Sequence, residues 1–114
     1  MSSAPLPAFE LTVDTARAIA AAVAAVPGVH SLYGGVHGEV AALYPNARVL
    51  GIKRLDLRDD RKIAVYVVAD VSARPVLREL GPEIQAAARA VCPELVTVDV
   101  VIADAAKGED ADAN

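Results

Sequence analysis

The chain predicts an α+β domain: a mainly antiparallel sheet of three to five strands with two helices packed on one face, in the order (β)αβββαβ. Two observations carry most of this. Two segments repeat apolar residues every three or four positions, Ala16, Ile19, Ala20, Val23, Val26 and then Leu77, Leu80, Ile84, Ala88, Val91. Between and after them lie β-branched runs with strand-like patterning, Val49 to Leu57, Ile63 to Val71 and Val96 to Ile102.

Residues 1–8, "MSSAPLPA", read as a flexible Pro-punctuated leader, and Phe9 to Leu11 as a short edge strand. Thr12 is the expected N-cap of the first helix, starting near Val13, with Asp14 favoured at the positive end of the helix dipole. "VPG" at Val26 to Gly28 ends that helix, since Pro27 disfavours helical geometry before it and Gly28 admits a turn. Val29 to Tyr33 reads as a strand.

In Val49 to Leu57 the apolar parity shifts from Leu50 and Ile52 to Leu55 and Leu57, which predicts a bulge or twist near Gly51 to Arg54. "RDDR", Arg58 to Arg61, is the expected hairpin turn. Ile63 to Val71 is apolar on both parities apart from Asp70, which places it centrally in the sheet. Pro75 suits the first turn of the second helix, whose stripe continues in register through Gly81-Pro82 and so predicts one kinked helix. Val96, Val98, Val100 and Ile102 give a half-buried closing strand. The single domain is assigned to residues 9–104, and residues 105–114 to a disordered acidic tail.

A net charge of -4 and a pI near 5.0 argue against a whole-molecule field that gathers nucleic acid or anionic lipid. Cys92 is the single cysteine, so neither an internal disulfide nor a multi-cysteine metal site is available, and a reducing cytoplasm is the expected compartment. The first fourteen residues contain no Lys or Arg and no long apolar run, unlike a secretory signal. The longest apolar run, Ala18 to Val26, is far short of the roughly 20 residues that span a bilayer.

"SLYGGVHGEVAALYPN", Ser31 to Asn46, holds the candidate chemistry. Gly35-Val36-His37-Gly38 matches the GxxG that clamps nucleotides in KH domains, but it follows a strand instead of joining two helices, and it lacks a basic residue. His37 and Glu39 form the H-x-E half of a zinc deaminase signature whose second half, P-C-x-x-C, is absent. His30, His37 and Glu39 are enough ligands for a catalytic metal only if the fold gathers them. Glu39 to Leu43 has an ordered, short-helical character. Cys92 reads as a small buried hydrophobe, and no Gly-x-Ser-x-Gly elbow occurs. A second feature is electrostatic: Arg48, Lys53, Arg54, Arg58, Arg61 and Lys62 cluster against Asp56, Asp59 and Asp60, either pairing across a solvated hairpin or meeting an acidic partner, phosphates or the chain's own acidic tail.

The alanine-rich helix ending "VPGV", the "SLYGG" segment, the "VLGIKRLDLRDDRKIAVYVVADVSARPVLRELGPEIQAAARAV" block and the closing "VTVDVVIADA" together resemble the alkaline shock protein family of envelope stress response proteins, over about Phe9 to Ala105. The resemblance implies a small cytoplasmic, non-enzymatic, self-associating protein, in some members recruited to the membrane by a separate anchoring protein. "HGEVAALYPNARVLG" departs from the family's pattern.

The expectation is therefore a non-catalytic, oligomerising adaptor without metal or cofactor and without direct membrane insertion. Gly35, His37, Gly38, Glu39, Arg54, Arg58 and Arg61 are its candidate partner-binding residues. The alternative is a nucleic-acid-binding module using the GxxG loop and the basic hairpin. A metal-dependent enzyme comes third.

Overall fold

The computed structural model describes residues 9–73 and 77–106. The order is α1 (Val13–Ala24), β1 (Val29–Leu32), β2 (Ala41–Tyr44), β3 (Ala47–Leu50), β4 (Ile52–Arg54), β5 (Lys62–Asp70), a single 3-10 turn (Val71–Ala73), α2 (Leu77–Val91) and β6 (Thr97–Ala106). The α+β class and the two helices are as predicted, but the sheet is mixed. β5 pairs antiparallel with β1 and β4 along one edge and parallel with β6 along the other, and β2 and β3 form a separate two-stranded hairpin. Helix α2 causes the parallel pairing: as a crossover it carries the chain back to the Lys62 end of β5, so β6 starts there and runs in the same direction.

α1 starts where Thr12 accepts the Thr15 N–H, and it closes through Ala25 into Gly28 at φ 97°. α2 runs unbroken through Pro82, as the continuous stripe requires; Pro75 lies outside the described residues. The helices pack on each other and on one face of the sheet. Ile19, Val23, Leu80, Ile84 and Ala88 meet Ile63, Val65, Val67 and Val98, all essentially buried. Alternation puts Ala64, Tyr66 and Val68 on the opposite face, where Tyr66 and Val68 are only half-buried.

Four expectations are corrected. Phe9 to Leu11 is not a strand: the Leu11 N–H goes to the Asp60 carboxylate (2.8 Å) and its carbonyl to the Tyr44 hydroxyl (2.9 Å), so side chains take the place of a neighbouring strand. Val49 to Leu57 is two strands, because Gly51 at φ 87° turns the chain out of the β2–β3 hairpin and into the main sheet. Glu39 to Leu43 is not helical; it leads into β2, which turns at Pro45-Asn46 and pairs with β3 from Ala41↔Leu50 to Tyr44↔Ala47. The last strand continues past residue 104, with Ala105 paired to Ala69 and Ala106 to Asp70; the rest of the assigned tail lies outside the described residues, as do residues 1–8.

Candidate functional site

The structure separates the seven candidate residues into two loops. Gly35, His37, Gly38 and Glu39 lie between β1 and β2, whereas Arg54, Arg58 and Arg61 lie on or beside the loop from β4 to β5. These loops sit toward opposite ends of β4. Its start meets the glycine segment through Gly51 N–H to the Val40 carbonyl (2.8 Å), and its end meets β2 near Tyr44 through Arg54.

The glycine loop is closed by its own carboxylate. Glu39 Oε1 accepts the His37 N–H (2.8 Å), and the Val40 N–H donates to the Gly34 carbonyl (3.0 Å). Gly35 sits at φ 88°, and a Cβ there would lie 2.5 Å from the Glu39 carboxyl carbon. The His37 amide, with those of Glu39 and Val36, holds the Glu39 carboxyl below its ordinary range, with Lys53 adding a smaller pull. Amides that would cradle a phosphate thus already face an anion supplied by the chain. Arg48 reaches the Gly38 carbonyl at 3.4 Å. His30 stands apart on β1, its Nδ1 3.2 Å from Ser31 Oγ, and among the described residues no three His, Cys, Asp or Glu side chains gather as a metal site.

The basic hairpin is organised around Arg54. Its guanidinium pairs with Asp60 (Nε to Oδ1, 3.3 Å), donates to the carbonyls of Leu43 (3.2 Å) and Leu11 (3.4 Å), and lies 4.7 Å from the centre of the Tyr44 ring. With Tyr44 and Asp60 both bonded to Leu11, this network ties the segment before α1 to the hairpin. Burial pushes the Tyr44 hydroxyl up against the opposing pull of Arg54. Arg61 Nε lies 3.2 Å from Asp59 Oδ1 without making a hydrogen bond, so that contact is ionic. Arg58 is exposed; among the described residues only its backbone N–H is engaged, by Asp56 Oδ1 (2.9 Å). Beside this loop Ala41, Ala42, Leu43, Lys53, Arg54 and Leu57 line a shallow depression of about 200 Å³. Cys92 follows α2, buried, its thiol pushed up by burial and by Glu94, which makes it a poor nucleophile.

One feature escaped the candidate residues: the outer edge of β6. Its first carbonyls are reached by α2 side chains, Gln85 Nε2 to Val98 O (2.8 Å) and Arg89 Nη2 to Val96 O (3.1 Å). Beyond Asp99 no other described element pairs with that edge, and residues 101–105 are exposed, including Val101 and Ile102 at 36% and 37%. The signal was present as the continuing alternation Val98, Val100, Ile102, but "ADAA" after it has the composition of a tail. No family model, curated protein or solved structure matches the chain.

Proposed function

We propose that this protein is a non-catalytic adaptor that self-associates through the open edge of β6. The observation that carries the reading is that edge itself: a ten-residue strand, Thr97–Ala106, paired on one side, with apolar Val101 and Ile102 in solvent. Unpaired strand edges invite another strand, and natural sheets usually block them with lysine, proline or a covering element. Asp99, Asp104 and a register shift that leaves Ala103 unpaired are the only such devices on β6 among the described residues, and they flank Val100–Ile102 without interrupting it. Glu39 held in its own loop, Cys92 buried and Arg54 tied into a network support a structural use of the residues that first suggest chemistry.

The resemblance to the alkaline shock protein family supplies the setting of this reading: an adaptor in the envelope stress response, with a membrane-anchoring protein as partner. Light scattering on the eluting full-length protein tests the self-association. A mass that is a multiple of 11.8 kDa is expected, and a strict 11.8 kDa species at high concentration overturns it. Crosslinking in cells followed by affinity capture is expected to recover a membrane-anchored protein together with a second copy of the chain.

A further inference from the structure

Resting on that self-association, we infer that two copies join their β6 edges antiparallel about a two-fold axis at Val101, in a register fixed by Gln85 on one side and by the irregularity at Ala103 on the other. The occupant of the edge is a second copy of this chain, because the free part of the edge is complementary to itself. An antiparallel pair of identical strands closes with residue i against j and j against i, so that each N–H faces a carbonyl. Parallel copies in register would set donor against donor.

The register follows from which backbone groups point outward. The Thr97 N–H donates to the Arg61 carbonyl (3.1 Å), so Thr97 faces β5, and strand alternation turns Asp99 and Val101 the same way. Val98, Val100 and Ile102 therefore present their N–H and carbonyl groups to the outer edge. The Val98 carbonyl is already taken by Gln85 Nε2 (2.8 Å), and beyond Ile102 the step in register at Ala103 breaks the alternation. Between these stops lie Val100 and Ile102, whose outward groups have no partner among the described residues. A two-fold axis at Val101 sets Val100 of each copy against Ile102 of the other, and every outward group of both finds its complement. An axis at Val100 would send Ile102 against Val98, where Gln85 stands. One at Ile102 would send Val100 against Asp104, across the irregularity.

The side chains agree with this register. Val101 shares the face of its β5 neighbour Tyr66 and meets Val101 of the other copy, with Cα atoms about 4.5 Å apart. On the helix face Val100 and Ile102, in line with Val65 and Val67, cover each other across the seam, where Ile102 is otherwise 37% exposed. No acid meets an acid, since Asp99 falls opposite Ala103 and Asp104 opposite Val98.

The test is cysteine crosslinking of the full-length chain by oxidised glutathione, with the wild type and its buried Cys92 as the blank. Val101→Cys is expected to form a covalent dimer at least about tenfold faster than Val100→Cys or Ile102→Cys alone, because only the residue on the axis meets itself within disulfide reach and the other two stand about 7–8 Å from their own counterparts. Val100→Cys mixed with Ile102→Cys is expected to crosslink about tenfold faster than either alone, which supports the register even if Val101→Cys misfolds. Gln85→Ala added to Val100→Cys frees the Val98 carbonyl and is expected to raise crosslinking of residue 100 to itself several-fold, since the shifted register then gains bonds. A wild type that is monomeric at every concentration overturns the self-association itself. A wild-type dimer in which Val100→Cys or Ile102→Cys joins its own copy as fast as Val101→Cys, or in which the mixture gains nothing, overturns the register alone. Crosslinking that ignores Gln85→Ala overturns the part given to Gln85.

Discussion

Glu39 shows how one side chain changes the reading of a motif. As letters, Gly35-Val36-His37-Gly38 followed by an acid suggests a nucleotide clamp or half of a metal site. In three dimensions the acid is the ligand of the loop's amides. Because its carboxyl is held below the ordinary range, ionised Glu39 stabilises the loop at pH values above the usual glutamate range, and that contribution fades as pH falls through the lowered value. An NMR titration of the His37 amide is expected to show a midpoint below that of an ordinary glutamate, and Glu39→Gln should abolish the titration. A midpoint at or above the ordinary value contradicts this loop geometry. The location of the loop was legible from its glycines; its internal closure was not, since a two-residue return of a side chain onto the backbone leaves no periodic trace. Arg54 is similar. Its charge was visible in the sequence, but its partners Leu11, Leu43, Tyr44 and Asp60 come from three other segments. Arg54→Ala is expected to lower stability by roughly 1–3 kcal/mol, read by denaturant unfolding, because the Leu43 carbonyl loses this donor while Asp60 and the Leu11 carbonyl each lose one of two.

Among the elements, the helices were the most legible. Their stripes specify a single buried face, and the apolar register of α2 overrode the breaker Pro82, which sits on the exposed side. The strands were read less well where pairing depends on distant chain. The parity shift after Gly51 correctly located an irregularity but not its scale, because only the pairing of β3 with β2 and of β4 with β5 makes it a break. Gly51 is held there by φ 87° and by Leu32, whose Cβ lies 2.5 Å from where a Cβ on residue 51 would stand. Gly51→Ala is therefore expected to cost roughly 1–3 kcal/mol. Gly81, in mid-helix with open space around it and no positive φ, should behave oppositely, and Gly81→Ala is expected to stabilise by about 0.5–1 kcal/mol. Thermal unfolding of the two variants side by side checks both signs.

For the whole molecule, the consequential surprise is the direction and length of β6. A sequence of alternating residues does not say whether the strand runs with or against its neighbour, and the α2 crossover decides it. The parallel choice leaves the far half of β6 unpaired on its outer edge among the described residues. The measurement that tests the central claim most directly is the solution mass, across concentration, of the wild type against a Val101→Lys, Ile102→Lys variant. Each residue is 36–37% exposed, so the monomer is expected to lose roughly 1–3 kcal/mol and the variant's folding is checked by circular dichroism alongside its mass. The expected result is an associating wild type and a variant that stays at 11.8 kDa while folded. A wild type that never associates, or a variant that associates equally well, contradicts the account.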